Sequence, residues 1–516
     1  MIGTSAGEWL FIRASIALIR YTPLLYAAIL AALCIRRHTA AASFVAALLA
    51  AEALFYLCVF RPHVARVRTP ANHPPALSPV ARRTLFYRCM GNVPDADEYL
   101  RWWFLGADRD DIRRDNVAEF LLWAFFDTTE ADARRSPDHD AIRAELDEYL
   151  DFVDKRLREP LAPGRGPARG LMLTLDHVET AYRSMSWYLA VLVVDQLTHL
   201  IMSALGFHYY ARARHQAAKT VPPRPQELWA RRRSPAPSLS YWYCPHEAGS
   251  GQLPVVFFHG IGIGLWPYTR LLANLRTAKM RNDTRRGRGV IAIEMLSVSN
   301  RLTPPPLDKA RFLEEMSLIL NSHREWHRFT VVSHSYGSVL TSHLLLSSEL
   351  GHRVPSVVLV DPVTVLLHLP DVAFNFTRKR PRRANEWQLW FFGSSDPGVA
   401  HTLGRHFFWR QNIIWKEELL SIGGDKSKPR KVAVSLGGRD LLVDAATVAR
   451  YLKGDARPSE KAAVDCVVDV SVLQVGVVGD IEVMLSPDLD HADILHSKAE
   501  RKRLEDIVGM YCDIRA

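Results

Sequence analysis

From Ser240 onward, short apolar runs rich in β-branched residues alternate with stretches of helical spacing, as in "PVVFF", "VIAIE" and "SVVLV". No other feature narrows the fold as far, because strands that alternate with helices line up in parallel and are covered on both faces. The pattern places strands at Ser240 to Cys244, Pro254 to Phe258, Gly289 to Met295, Phe329 to Ser333, Ser356 to Val360, Lys431 to Leu436 and Val467 to Val475. The fold class is therefore α/β: a mostly parallel sheet with helices on both faces.

Chemistry-bearing residues cluster where these strands end. "PVVFFHGIGIG" is a buried strand that runs into His259, Gly260 and a glycine-rich turn, and "VVSHSYGSVL" holds Ser335 between a strand and a helix. A serine hydroxyl needs a base to become a nucleophile, and the base needs a carboxylate to orient it. Carboxylates and histidines suited to those tasks follow: Asp361 in "VVLVDPV", Asp440 in "KVAVSLGGRDLLVD", and His491 in "SPDLDHADIL".

These motifs resemble the α/β-hydrolase superfamily (AB hydrolase-1), in its lipase and esterase branch. "HGIGIGLWPY" and "LPDVAFNF" are also similar to membrane-anchored fungal members. The resemblance runs from Ser240 to Asp506 and leaves the N-terminal half uncovered. It implies that Ser335 attacks and that the amides of Ile261 and Tyr336 hold the oxyanion, with His259, Gly260 and Gly337 as motif residues. Chain order in the family is Ser, acid, His, which implies His491 as the base; its rival, His496, lies inside an apparent helix. Asp440, just after the penultimate strand, is the implied acid. Asp361 is the alternative, read otherwise as hydrogen-bonding the start of the inserted segment that follows it. The chain departs from G-x-S-x-G at one place, where Ser333 replaces the first glycine.

The first part of the chain is of another kind. Tyr21 to Ile35 and Thr39 to Phe60 are apolar and flank Arg36, Arg37 and His38, although Glu52 interrupts the second. The second stretch meets the ~20 residues needed to cross a hydrocarbon layer, so residues 1–62 read as a membrane-anchoring helical hairpin, or as one crossing helix plus one interfacial helix. Arg61, Arg66, Arg68, Arg82 and Arg83 outnumber the two arginines of the turn, which places the catalytic part in the cytoplasm. Residues 63–219 read as a helical region. Within it Trp187 to Gly206 is apolar enough for a third membrane-contacting helix, but Asp195 and His199 argue for a buried or interfacial one, and core packing is favoured over insertion. Residues 220–238, rich in proline and arginine, read as an extended linker, and 239–516 as the hydrolase domain.

Inside that domain, residues 362–430 exceed what the sheet needs and read as a cap. Their many aromatic rings, among them Phe374, Phe376, Trp387, Trp390, Phe391, Phe407, Trp409 and Trp415, suit either a cover over an apolar acyl chain or the cap's own small core. "RKRPRR", Arg378 to Arg383, reads as a basic turn near lipid phosphates.

At 516 residues the chain needs more than one hydrophobic core. Its formal charge of +10 is spread through arginine-rich loops with no nucleic-acid module, which favours anionic lipid over nucleic acid. Six cysteines show neither paired nor metal-ligand spacing. The expectation is a membrane-bound serine hydrolase of carboxylic esters with a lipid-like substrate and no metal or organic cofactor. An epoxide hydrolase or dehalogenase of this fold is disfavoured, since those members carry Asp where Ser335 stands. The rival reading is a membrane-tethered interaction protein that keeps the fold without its chemistry.

Overall fold

The computed structural model describes residues 2–247, 251–276, 287–423, 425–454, 476–478 and 481–513. Its strands, in chain order, are β1 (His208–Ala211), β2 (Arg232–Arg233), β3 (Ser240–Cys244), β4 (Val255–Phe258), β5 (Val290–Glu294), β6 (Thr330–His334), β7 (Ser356–Val360), β8 (Ser421–Ile422), β9 (Asp425–Pro429), β10 (Lys431–Gly437), β11 (Gly476–Val478) and β12 (Ile481–Ser486). All but β8 and β9 form one sheet, in the order β11-β12-β10-β7-β6-β4-β5-β3-β1-β2. The run from β5 through β12 is parallel, while β3 joins β5 antiparallel and β1 joins β3 antiparallel. This is an α/β-hydrolase-like sheet. Strands β4, β5, β6 and β7 are buried along their whole length, which is why they carry no alternating polar face.

Strand order reverses at β4: the chain moves to β5 on one side and then to β6 on the other. Open α/β sheets bind ligands outside the carboxyl ends of their strands at such a point. The loops after β4, β6, β10 and β12 carry His259, Ser335, Asp440 and His491 to that end.

The strand expected at Val467 to Val475 lies outside the described residues, and β12 supplies the strand that leads to His491. Residues 220–238, expected as an extended linker, are instead packed. They hold a helix at Pro225–Trp229 and strand β2, and Arg224 is fully enclosed. Its guanidinium donates to Asp195 at 3.0 Å, Glu227 at 2.9 Å and Glu294 at 2.8 Å. A buried guanidinium needs such partners on every side, and they come from three separate elements. Strand β1 likewise joins the sheet, between β3 and β2, from within the region expected to be helical.

Among the described residues, three helices are long and apolar enough to cross a membrane: Ala6–Ile35, Thr39–Val67 and Met185–Ala204. Glu52, the acid inside the second, is explained by its partners. It accepts the Tyr182 hydroxyl and the Met185 amide, the latter at 2.8 Å, and so caps the start of the third helix. The helices of residues 79–154 share one apolar core with the sheet and the cap. Trp409 Nε1 donates to Ala124 O at 3.1 Å across that junction.

Candidate active site

Ser335 sits on the turn between β6 and the helix Gly337–Leu345, with φ at +52°. A left-handed backbone at a non-glycine residue is strained and persists only where its surroundings hold it. Here the surroundings are tight. A Cβ on Gly337 would stand 2.4 Å from Phe258 O, and one on Gly260 would stand 2.9 Å from Ser335 Cβ, so both positions require glycine. Ser333 is accommodated because its Oγ accepts from Thr341 Oγ1 at 2.8 Å, inside the first turns of that helix.

Three distant side chains meet at this turn. His491 Nε2 lies 2.8 Å from Ser335 Oγ, and His491 Nδ1 lies 2.7 Å from Asp440 Oδ2. Asp440 Oδ1 is fixed in turn by the amides of Leu442 and Val443, at 2.7 and 3.1 Å. The neutral tautomer these partners select donates Nδ1–H to Asp440 and accepts the Ser335 hydroxyl at Nε2. Burial alone would depress the His491 pKa, but the carboxylates of Asp440 and Asp361 outweigh it and push it up to about 9.

Asp361 does not bond the start of the insertion. Its oxygens accept from Gly437 N at 2.8 Å and Ala492 N at 2.9 Å, tying the end of β10 to the histidine loop. Burial, with Asp440 nearby, raises its pKa to about 6. Asp361, Asp440 and His491 place ligand atoms within 4.8 Å of one another, the spacing of a metal set. Each of those side chains already meets the hydrogen-bond partners named above, an arrangement suited to moving a proton.

The amides of Ile261 and Tyr336 donate to no protein group among the described residues. Both residues line, with Ser335, a cavity of about 60 Å³. His259 lies behind them: Met295 N donates to its Nε2 at 2.9 Å, its Nδ1 meets Gly260 O at 2.7 Å, and burial lowers its pKa to about 4. It braces the loop as a neutral ring.

The cavity walls are almost wholly apolar. Phe376, Leu403, Phe407 and Trp409 come from the cap and Trp103, Trp123 and Leu173 from the N-terminal half, so that half helps to build the pocket. Other cap aromatics pack inward: Phe391 and Trp415 are buried in apolar clusters.

Several residues of the site carried no local signal in the sequence. Tyr268 Oη accepts from Gly260 N at 3.0 Å and lies 2.7 Å from His334 Nδ1. Asp490 accepts from His491 N at 2.7 Å and from Asn385 Nδ2 at 2.6 Å, which links the cap to the histidine loop. His334 and Asp490 were marked only by adjacency to Ser335 and His491.

No protein-family model matches the chain, and no curated protein does. Solved structures that resemble it include a bacterial membrane phospholipase A, at 12% identity and a TM-score of 0.36 over 63% of this chain and 94% of that one. The carboxylesterase CesB of Bacillus subtilis is similar at 11% identity and a TM-score of 0.34, over 63% and 98% of the two chains. Naproxen esterase of Bacillus subtilis is similar at 12% and 0.34, over 61% and 97%.

Proposed function

We propose that the chain is a membrane-bound serine hydrolase that cleaves carboxylic esters with an apolar acyl chain through an acyl-enzyme. Ser335 Oγ attacks the ester carbonyl while His491 Nε2 takes its proton, then returns that proton to the leaving alkoxide. Water, activated by the same ring, releases the acid. Asp440 keeps Nδ1 protonated and steadies the imidazolium. The free amides of Ile261 and Tyr336 receive the oxyanion, where fixed donors act more strongly than water because they need no reorientation.

The observation that carries this reading is the Ser335–His491–Asp440 relay, at 2.8 and 2.7 Å, on a turn with a left-handed serine. An apolar cavity beside the hydroxyl favours hydrocarbon over a charged acid. Cap residues Phe376, Leu403, Phe407 and Trp409 form part of its wall, so the cap contacts the acyl chain directly. Anchoring by the leading apolar helices brings the site to its substrate, and the arginines from Arg61 onward favour a cytoplasmic catalytic part.

The test is fluorophosphonate labelling of the full chain in detergent, beside Ser335→Ala. Labelling that is lost in the variant while the fold is kept supports the proposal. Equal labelling of both proteins would move the nucleophile elsewhere, and no labelling of either would favour a non-catalytic role.

A further inference from the structure

The helix Met185–Ala204 has two unlike faces. Tyr188, Val191, Asp195, Thr198 and Met202 recur at three- and four-residue spacing and are buried against the body of the protein. On the opposite side Leu189, Val193, Leu197 and Leu200 are exposed, with Val193 at 57%. An ordinary surface helix turns its polar face outward. Here the sole acid, Asp195, points inward, and the outer face is hydrocarbon.

The inner face is bolted to the sheet. Asp195 accepts from Arg224 at 3.0 Å, from Gln226 at 2.6 Å and from Arg301 at 2.9 Å, and Arg224 bridges to Glu294 at the end of β5. Past its C-terminus the chain passes within a few residues into β1. A helix so fixed crosses a bilayer only if the sheet enters with it, and burying that charged network in hydrocarbon is prohibitive.

The start of the helix marks where the anchor leaves the protein. Thr22 and Glu52, buried positions on the two leading helices, meet Ser186 Oγ at 3.4 Å and Met185 N at 2.8 Å. Beyond them the hairpin is largely exposed and apolar. The outward stripe is therefore continuous with the membrane anchor. Two tryptophans accompany it. Trp229, 79% exposed, follows Gln226, which bonds Gln196 on this helix at 2.6 Å, and is followed by exposed Arg231 and Arg232. Trp266 is exposed on a turn that packs against the same helix. Tryptophan and arginine beside an apolar stripe are the composition of an interfacial helix.

We propose that Leu189, Val193, Leu197 and Leu200, with Trp229 and Trp266, form a second lipid-binding face that lies in the bilayer interface without crossing it. Its occupant is the phospholipid bilayer that holds the hairpin. Because the turn bearing Trp266 also carries Tyr268, which bonds the Gly260 amide, this face seats the oxyanion loop at the lipid surface.

The test uses the full chain in phosphatidylcholine–phosphatidylglycerol nanodiscs. With accessible native cysteines replaced, spin labels are placed one at a time at Leu189→Cys, Val193→Cys, Leu197→Cys and Leu200→Cys, and their depth is read from oxygen and nickel-chelate accessibility. Circular dichroism melting identifies folded variants, and since every site is already exposed, any folded subset that spans the helix decides the question. Labels at one shared depth, about 5–10 Å below the phosphates, support the proposal. Depth that changes steadily from Leu189 to Leu200 means a crossing helix and overturns it. Labels open to water overturn it, as do labels shielded from both probes, which would mean a protein partner or a second copy covers the face. The readout does not depend on hydrolase activity.

Discussion

Asn385 of the cap donates to the Asp490 carboxylate at 2.6 Å, and Asp490 holds the backbone amide of the adjacent His491 at 2.7 Å. The cap is thereby tied to the histidine loop, which the Leu441 amide, through Asp490, and Asp361, through the Ala492 amide, also hold. Asn385→Ala removes a hydrogen bond to a charged group, worth about 1.5–3 kcal/mol. The expected result is a fall of about tenfold or more in the rate of fluorophosphonate labelling, with a smaller change in melting temperature. Asn385→Asp, which sets two carboxylates together, is expected to do worse.

The raised pKa of His491 has opposite consequences for rate and stability. Only the neutral ring accepts the Ser335 proton, so kcat/KM is expected to rise with pH along a limb displaced from 6.5 toward about 9. A histidine whose folded pKa is raised adds stability that is complete below its unfolded pKa and is lost as pH climbs through the folded value. Melting temperature is therefore expected to fall over the same interval in which activity grows. Ester hydrolysis and thermal melting, measured from pH 6 to 10, check both; a rate limb at or below the free histidine value counts against the carboxylate pairing.

The two carboxylates near His491 are expected to separate in function. Asp440→Asn leaves the ring in the wrong tautomer and lowers activity by about 10³- to 10⁴-fold. Asp361→Asn disturbs the paired bonds to Gly437 and Ala492, so its cost falls on stability, by about 1–3 kcal/mol, with a smaller loss of rate. Both changes move the pH limb downward, because both carboxylates raise the ring's pKa. Equal rate losses in the two variants would mean that the acid is shared between them.

The elbow gives a paired test of backbone tolerance. Gly337→Ala drives a methyl group against Phe258 O and is expected to lower stability by at least 1–3 kcal/mol, the usual range for overpacking. Ser333→Gly is expected to be nearly neutral, since Thr341 Oγ1 keeps its second acceptor, Gly337 O, at 3.1 Å. Chemical denaturation curves of the two variants compare them directly.

What could be read from the residues follows from the range of the forces involved. Strands β4 to β7 announce themselves locally, because burial on both faces leaves continuous apolar runs. The serine turn is visible for the same reason: its glycine and its flanking strand and helix lie within a few positions of Ser335. The packed state of residues 220–238 was not legible. Arg224 finds Asp195 and Glu294 through tertiary contact, and nothing in a proline- and arginine-rich stretch distinguishes a buried guanidinium from a solvated one. Asn385 escaped for the same reason, lying 105 positions from its acceptor. β1 was hidden by its length of only 4 residues inside a helical region.

Ile12 and Ile16 of the leading helix pack with Phe391, Arg13 rests over the Trp387 ring at 3.9 Å, and Ile2 N donates to Gln388 at 2.9 Å. Trimming that helix to obtain a water-soluble preparation would thus strip the outer support from the short segment that carries Asn385. Fluorophosphonate labelling measured on such a shortened protein would report on a loosened histidine, and the detergent-solubilised chain with that helix kept is the sounder basis for testing the proposed activity.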